Sequence, residues 1–318
     1  MGADPAVLTR GLVKHYRAHE AVRGLDLTVA EGEIFGFLGP NGAGKTTSVG
    51  MLCTVLRPTA GLARVAGHDV CHAPDEVRRR IGVVFQDSTL DADLTALQNL
   101  QFHADLHGIP HRQGRNRAFA MLDLLGLAAR RADRVRTFSG GMRRRLEIAR
   151  GLLHSPHVLF LDEPTTGLDP QTRAAIWEHL HRLRDEQKVT VFLTTHQLEE
   201  AEQCDRLAII DGGELVVEGT PAEIKAVAGA DLVVLRTADD KAAARILRAR
   251  FGLAVTVGTD GVRFRVTDAG SFVPRLCAEI VVPVYSVTMT PPTLENAFLE
   301  YTGHAIRDGL GNNSYGED

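Results

Sequence analysis

The sequence predicts an α/β fold followed by a second, smaller α+β domain. Short apolar runs alternate with helical patterns up to Gly219, and two of the runs, VLFLDEP and VTVFLTTH, are typical of buried parallel strands. A glycine-rich loop joins a third run, IFGFL, to a helical segment. The pattern changes after Pro221, where a new series of strands and helices begins. The 318 residues are enough for two domains.

Composition excludes several classes of protein. Hydrophobic residues make up 44% and charged residues 24% of the chain, which is ordinary globular usage and argues against a disordered or fibrous protein. The formal net charge is −4, so the overall charge gives no support for binding to nucleic acid. No apolar run approaches the roughly 20 residues that a membrane-spanning helix requires. We therefore predict neither a nucleic-acid partner nor a membrane span.

The termini and the cysteines favour a cytoplasmic location. The first residues, MGADPAVLTRGLVKHY, lack a basic segment followed by an apolar one, so we predict no signal peptide. The four cysteines are scattered along the chain and never form a C-x-x-C pair. This spacing argues against a disulfide framework and against a cysteine zinc site, and it is typical of a reducing compartment.

The glycine-rich loop predicts a phosphate-binding site. Its eight residues match the pattern G-x-x-x-x-G-K-[ST] at every fixed position, and a strand precedes it while a helix follows, as phosphate binding requires. Backbone N–H groups in such a loop converge on one phosphate, and the start of the helix adds a partial positive charge. The lysine is expected to reach the β- and γ-phosphates, and the threonine hydroxyl to ligate Mg²⁺. The residues of this phosphate loop are Gly39, Pro40, Asn41, Gly42, Ala43, Gly44, Lys45 and Thr46.

Two adjacent acids end the apolar run Val158–Leu161. A buried parallel strand would bring them to its carboxyl end, where α/β sheets bind ligands. We expect Asp162 to hold Mg²⁺ and Glu163 to orient or deprotonate the attacking water. A strand ending at a polar turn gives the same pattern, so the assignment depends on the phosphate loop, because phosphoryl transfer needs both a metal holder and a water-positioning group.

The segment Phe138–Met142, FSGGM, resembles the LSGGQ signature of the ATP-binding cassette (ABC) ATPases, and the order of motifs along residues 5–220 is similar to that family. The resemblance implies a P-loop NTPase cassette with an inserted helical subdomain. It also implies ATP binding, with Tyr16 stacked on adenine, Thr47 beside the phosphates and Gln86 as the Q-loop residue near the metal. Further along the chain it implies a D-loop at Asp169 and a switch histidine at His196.

In the same family the signature contacts the ATP that is bound by a partner subunit. This role falls on Ser139, Gly140 and Gly141, which keep the Ser-Gly-Gly core although Phe138 and Met142 depart from the commonest form. The resemblance therefore implies a dimer of cassettes. Simpler interpretations stay open for the implied residues. Tyr16 is then a packing aromatic, Gln86 a solvated side chain after a strand, His196 a histidine without a function, and Asp169 a helix cap before a proline.

The helix after the signature is predicted to bury one face. Met142 and Leu146 begin an apolar series at helical spacing, whereas Arg143, Arg144 and Arg145 are expected on a solvated face. A helical subdomain is predicted at about 87–150, and its region around 87–137 should provide the coupling surface for a membrane partner, including the apolar residues Leu90, Leu94 and Leu97.

The predicted domains are the cassette at 5–225, an accessory domain at 228–306 with a βαββαβα pattern, and a flexible tail at 307–318. The phrases FSGGMRRRLEIARGLL and PPTLENAFLEYTG are similar to the daunorubicin-type drug-resistance ATPases. That resemblance implies an ATPase on the inner face of the membrane, coupled to a separate ABC-2-type permease. An ATPase of an importer, an ATPase of a lipid or polysaccharide exporter, and a regulatory ABC protein are the alternatives.

Overall fold

The computed structural model describes residues 4–17, 19–227 and 229–304. These residues form two compact units, one that runs to Pro221 and one that begins at Ala222. The predicted flexible tail at 307–318 and the last residues of the predicted accessory domain lie outside the described residues.

The first unit contains ten strands and seven α-helices within the described residues. The strands are β1 (Val7–Tyr16), β2 (His19–Val29), β3 (Ile34–Leu38), β4 (Ala60–Val65), β5 (His68–Asp69), β6 (Ile81–Val84), β7 (Val158–Asp162), β8 (Thr190–Thr195), β9 (Arg206–Asp211) and β10 (Glu214–Gly219). The helices are α1 (Lys45–Leu52), α2 (Pro74–Arg80), α3 (Ala96–Leu106), α4 (His111–Leu124), α5 (Gly140–Leu152), α6 (Pro170–Gln187) and α7 (Leu198–Ala201).

A six-stranded sheet in the order β10-β9-β3-β8-β7-β6 forms the centre of this unit. All its neighbouring strands are parallel except β10, which pairs antiparallel with β9. Every residue of β3, β7 and β8 is buried, which confirms the prediction of buried parallel strands. The phosphate loop, the two acids and His196 all follow the carboxyl ends of these strands, so they meet at one edge of the sheet.

A second sheet, in the order β2-β1-β4-β5, is antiparallel throughout. A turn at 30–33 separates β2 of this sheet from β3 of the central sheet. This sheet places Tyr16 at the end of β1, opposite His19.

The region predicted as a helical subdomain contains α3, α4 and α5, which pack around a common apolar core. Leu90 and Leu97 pack against that core and are partly buried, and Leu94 is also partly buried. Their place on a coupling surface stays a prediction. The exposed large apolar side chains of α3 are Phe102, at 60% exposure, and Leu106, at 67%. Helical periodicity gives the apolar positions of a helix, but it does not decide which of them have a partner.

The second unit confirms the predicted order of strands and helices. Helix α8 (Pro221–Val227) starts at the boundary between the units. It is followed by β11 (Asp231–Thr237), α9 (Asp240–Phe251), β12 (Val255–Gly258), β13 (Gly261–Val266), α10 (Ala269–Glu279), β14 (Val284–Thr290) and α11 (Leu294–Thr302). The four strands make an antiparallel sheet in the order β12-β13-β11-β14. Its core joins apolar residues of α9 and α10 to the sheet, with Leu235, Leu247 and Leu276 fully buried.

A tight hairpin turn joins β12 and β13 in the second unit. Gly258 pairs with Gly261, so Thr259 and Asp260 form the two-residue loop. Among the described residues of this turn only Gly261 has a positive φ, of 131°. The glycine is therefore needed at the first residue of β13, where a Cβ would lie 2.6 Å from the Leu235 carbonyl oxygen.

Candidate active site

The phosphate loop leads directly into α1. Gly44, the N-cap residue, has φ 101°, and a Cβ there would lie 2.5 Å from the Ala21 carbonyl oxygen, so the position requires glycine. The side chain of Lys45 is 5% exposed, and its Nζ donates hydrogen bonds to the carbonyl oxygens of Gly39 (2.8 Å) and Pro40 (3.0 Å). The lysine ammonium is thus held inside the loop, where an anion would be bound.

The ammonium of Lys45 is desolvated and lies beside two carboxylates. Burial lowers the pKa of the lysine from its ordinary value, while the charges of Glu163 and Asp162 act in the opposite direction. Glu163 Oε1 lies 3.8 Å from the ammonium. A desolvated ammonium is stabilised by charged oxygen atoms, which a phosphate bound at this loop would provide.

Asp162 connects β7 to α1 and β8. Its carboxylate accepts hydrogen bonds from the hydroxyls of Thr194, at 2.5 Å, and Thr46, at 3.2 Å. The side chain is buried, with 4% exposure. Asp162 and Thr46 were predicted as metal ligands, and the structure brings their oxygen atoms together. Thr194, which fixes the carboxylate from the other side, was not identified from the sequence.

Glu163 lies between Lys45 and His196. Its Oε1 is 3.0 Å from Nδ1 of His196, and Thr166 Oγ1 donates a hydrogen bond to Oε2 at 3.3 Å. The backbone of Glu163 has φ 46°, in the left-handed region that residues other than glycine rarely adopt, and its N–H donates to Thr194. Strained backbone of this kind is concentrated at functional sites, and here it accompanies a carboxylate that points toward the phosphate loop.

A cavity of about 470 Å³ brings together nine of the predicted site residues. Tyr16, at its edge, is 42% exposed, and Nζ of Lys14 lies 5.1 Å from its ring centroid. Gln86 is exposed and lines the same cavity. The predicted residues that line the cavity are Tyr16, Asn41, Gly42, Gly44, Lys45, Thr46, Thr47, Gln86 and Glu163.

The signature segment does not reach this cavity. Ser139 is the N-cap of α5 and accepts a hydrogen bond from the Met142 N–H at 3.3 Å. Gly141 packs on α6 so closely that a Cβ would lie 2.2 Å from Thr172 Cγ2. Among the described residues that line the cavity, none belongs to 138–142. Gly140 instead lines a neighbouring cavity of about 320 Å³, which shares Gln86 and Glu163 with the first.

Asp169 caps the helix α6. Its carboxylate accepts a hydrogen bond from the Thr172 N–H at 2.9 Å, and this bond lowers the pKa of the carboxyl. Pro170 follows at the first helical position. The capping role that was left open in the sequence is therefore present, and Asp169 is exposed.

The prediction of a solvated face for the three arginines of α5 is wrong for Arg144 and Arg145. Arg144 is largely buried and donates to the carbonyl oxygens of Pro164 (2.8 Å), Phe85 (2.6 Å) and Asp162 (2.8 Å). Arg145 donates to Leu125 O at 3.1 Å. Arg144 therefore ties the signature helix to the acidic strand end and to the residue before Gln86. Its partners are backbone carbonyls, which leave no pattern in a sequence.

Glu147 makes a second connection between the same parts. It is 2% exposed and accepts hydrogen bonds from Ser88 Oγ (2.8 Å) and from the Thr89 N–H (2.7 Å). Arg150, one turn later on α5, pairs with it at 2.9 Å. Moving α5 away from the segment after Gln86 would leave this buried carboxylate without its hydrogen-bond donors. The two parts are therefore fixed to each other.

Comparison with known proteins identifies this arrangement. A family model described as ABC transporter matches residues 22–166. The daunorubicin/doxorubicin resistance ATP-binding protein DrrA of Streptomyces peucetius is 43% identical over 312 residues, which cover 95% of this chain and 94% of the relative. This chain belongs to the ABC transporter family. It is an ATP-binding cassette ATPase.

Further relatives of the cassette agree with this assignment. The Nod factor export ATP-binding protein I of Ralstonia nicotianae is 39% identical over 97% of each chain. A dimeric ATP-binding cassette in a post-hydrolysis state with ADP and Pi superposes with a TM-score of 0.62 at 29% identity and covers 67% of this chain and 98% of its own. The protein cbiO1 of Clostridium perfringens, part of the ABC transporter complex cbiONQ, has a TM-score of 0.66 at 26% identity, with 79% and 97% covered.

The first unit is thus a P-loop NTPase cassette with an inserted helical subdomain, as the signature and the phosphate loop predicted. No helix among residues 4–17, 19–227 and 229–304 has both the length and the apolar character of a membrane span.

Proposed function

We propose that this chain is the ATP-hydrolysing subunit of an ABC exporter and drives efflux of a drug or another hydrophobic compound through a separate ABC-2-type permease. The observation that supports this proposal is the extent of the similarity to resistance and export proteins. It covers 95% or more of this chain in DrrA and in the Nod factor export protein, so it includes the second unit as well as the cassette. The protein would act at the inner face of the cell membrane, bound to its permease.

The cassette binds ATP through the phosphate loop in this proposal. Lys45 exchanges its carbonyl partners for β- and γ-phosphate oxygens, and N–H groups at the start of α1 face the same phosphates. Tyr16 supports the adenine at the edge of the cavity. The roles of Asn41, Gly42 and Thr47 rest on their position in the same cavity wall.

The donors around Asp162 fit Mg²⁺. Its carboxylate and the Thr46 hydroxyl are 3.2 Å apart, and Gln86 adds an amide to the same cavity. Oxygen donors are the ligands that Mg²⁺ prefers, and the ion usually binds through one or two protein groups together with phosphates. Bound Mg²⁺ would neutralise charge on the β- and γ-phosphates as the bond to the γ-phosphate breaks.

Glu163 is the proposed general base. Its Oε1 accepts the proton of the attacking water, and His196, at 3.0 Å from that oxygen, holds the carboxylate in place and contacts the γ-phosphate. Thr166 fixes the other carboxylate oxygen. Gln86 connects this chemistry to the helical subdomain, because Phe85 and Ser88 on either side of it are bonded to α5.

Within one cassette, the described residues that line the proposed nucleotide cavity include none of the signature segment 138–142. Ser139, Gly140 and Gly141 are therefore proposed to contact the γ-phosphate in a second ATP-binding subunit, together with the D-loop residue Asp169. The N–H groups at the start of α5 suit an anion that approaches from outside the chain. We propose a homodimer of cassettes as the working unit.

Co-expression with a permease tests the exporter function. Cells that carry this chain and a candidate ABC-2-type permease should retain less daunorubicin than cells with the permease alone, and the two proteins should copurify. A chain with Glu163→Gln should copurify but fail to lower drug retention. Copurification without a fall in daunorubicin retention would reject daunorubicin as the exported compound. Export of a lipid-linked saccharide would then be the next measurement. Absence of any complex would reject the exporter assignment.

The second unit is proposed to be an accessory domain at 228–306 that contacts the permease or the second subunit. Its sheet and its two packing helices form a core of their own, so it can be removed without opening the cassette core. Removing residues from 228 onward should leave ATP binding measurable and weaken assembly with the permease, as measured by copurification. Full assembly and full transport by a truncated chain that still binds ATP would refute the assembly role.

A further inference from the structure

Three histidines from two helices meet at one end of the helical subdomain. His103 and His107 lie one turn apart near the end of α3, and His154 follows the end of α5. One ring nitrogen of each residue can be chosen so that all three lie within 4.8 Å of one another. The rings border a cavity of about 190 Å³, which Phe85 and Thr89 also line.

The orientation of His154 is fixed by one hydrogen bond. Its Nε2 lies 2.8 Å from the Ile81 carbonyl oxygen, and because a carbonyl only accepts, Nε2 bears the hydrogen. Nδ1 of the neutral ring then bears no hydrogen and has a free lone pair. That atom is buried and has no hydrogen-bond partner among the described residues. An imidazole that donates one N–H to a backbone carbonyl and leaves the other nitrogen free is the usual arrangement of a metal-ligating histidine.

The charge around the cluster permits a cation. Burial, with a contribution from Arg150, lowers the pKa of His103 to about 3, and burial lowers the pKa of His154 to about 4. The rings are therefore neutral at physiological pH. Two arginines, Arg78 and Arg150, also line the cavity. Arg78 is paired with Asp75 at 2.7 Å and Arg150 with the buried carboxylate of Glu147 at 2.9 Å, which weakens their repulsion of a bound ion.

The rings are close enough for one ion after a small rearrangement. The centroids of His107 and His154 are 4.0 Å apart with planes 10° from parallel, and those of His103 and His107 are 4.7 Å apart. Nitrogen ligands of one tetrahedral ion lie about 3.3 Å apart, since each bond is about 2.0–2.1 Å long. His107 is exposed and caps the end of α3, so its ring is free to turn out of the stack.

We propose that His103, His107 and His154 bind one transition-metal dication of the kind that imidazole prefers, such as Zn²⁺, with a fourth position open to water. The ion would link the end of α3 to the end of α5 and, through His154, to the start of β6. Nothing in the proposed ATPase mechanism uses these side chains. Simple packing of three neutral rings is the alternative that the experiment must separate from metal binding.

Zinc binding is measured with the full-length chain, purified without a histidine tag, in competition with a chromogenic chelator. One equivalent of Zn²⁺ should bind per chain, and His103→Ala and His154→Ala should each weaken binding by at least about 10-fold. His157→Ala is the matched control, because this exposed histidine lies three residues beyond His154 outside the cluster, and it should bind Zn²⁺ as the unaltered chain does. Cobalt(II) in place of zinc should give the visible absorption of a tetrahedral site.

Folding is checked by circular dichroism and thermal unfolding of every variant. His107→Ala decides the matter if the two more buried substitutions unfold the chain, because His107 is exposed and its removal leaves no internal cavity. The metal site would be overturned if the unaltered chain did not bind zinc. It would also be overturned if folded His107→Ala bound zinc as tightly as the unaltered chain. Either result would mean that the three rings only pack together.

Discussion

Replacing Glu163 by glutamine is expected to lower ATP turnover by about 10²–10⁴-fold while ATP binding persists. Glutamine has the same shape and still accepts a hydrogen bond at the position of Oε1, which lies 3.0 Å from His196 Nδ1. It has no basic carboxylate to take the proton of water. The loss corresponds to about 3–5 kcal/mol in the activation free energy. Steady-state phosphate release measures the turnover, and a fluorescent ATP analogue measures the binding.

The same substitution should trap a dimer. Glu163 Oε1 lies 3.8 Å from Lys45 Nζ, so the carboxylate is close to the position of the γ-phosphate and repels it. Removing that charge while hydrolysis is blocked leaves two ATP molecules between two cassettes. Light scattering should show twice the monomer mass with ATP and Mg²⁺ and the monomer mass without nucleotide.

Glu199→Gln provides the matched control for this prediction. Glu199 is an exposed glutamate three residues beyond His196, and its neutralisation removes the same charge outside the cavity. It should hydrolyse ATP normally and form no lasting dimer. Normal turnover in Glu163→Gln, or a monomer at high concentration even with the permease present, would contradict the proposed mechanism.

Local chemistry explains why the phosphate loop and the acid pair were predictable. Gly44 and Lys45 need a strand before them and a helix after them, and the sequence displays both within a few residues. Asp162 and Glu163 end a strand that is apolar because it is buried on both sides. Each of these features depends on near neighbours in the chain, so a pattern in the sequence records it.

Features that depend on distant partners left no such pattern. Arg144 bonds carbonyls of Phe85 and Pro164, which any residue type would provide. Three consecutive arginines are typical of a solvated face. Only the fold shows that the side chain of Arg144 reaches from α5 to the end of the acidic strand. The same reasoning applies to Glu147, whose donors lie 58 and 59 residues away.

The sequence pattern indicates only two of the three histidines of the cluster. His103 and His107 are four residues apart, which places them on one face of a helix, and this spacing is found in metal sites. His154 lies far along the chain, and its free Nδ1 depends on a bond to Ile81 that only the structure shows. The antiparallel pairing of β1 with β2 was likewise invisible, because the bulges between Thr9 and His15 interrupt the alternation of buried and exposed residues.

Replacing Lys45 by alanine is expected to abolish hydrolysis and to weaken ATP binding by about 10–100-fold, the worth of a charge-assisted hydrogen bond to a phosphate. The ammonium is 5% exposed and is held at the loop by the carbonyl oxygens of Gly39 and Pro40. No other lysine or arginine is among the described residues that line the cavity, so none can replace it. Binding of a fluorescent ATP analogue and phosphate release measure the two effects. Unchanged turnover would reject this loop as the phosphate site.

Ser139→Arg is the informative comparison, because it separates the chain's own nucleotide from that of a partner. Ser139 caps α5 outside the cavity that Lys45 lines, so this variant should bind ATP almost as the unaltered chain does. It should nevertheless stop hydrolysis, since the bulky guanidinium would occupy the space of the partner's γ-phosphate. The two variants should therefore share a loss of turnover and differ in affinity. A fall in the affinity of Ser139→Arg as large as that of Lys45→Ala would place the signature on its own nucleotide and contradict the proposed dimer.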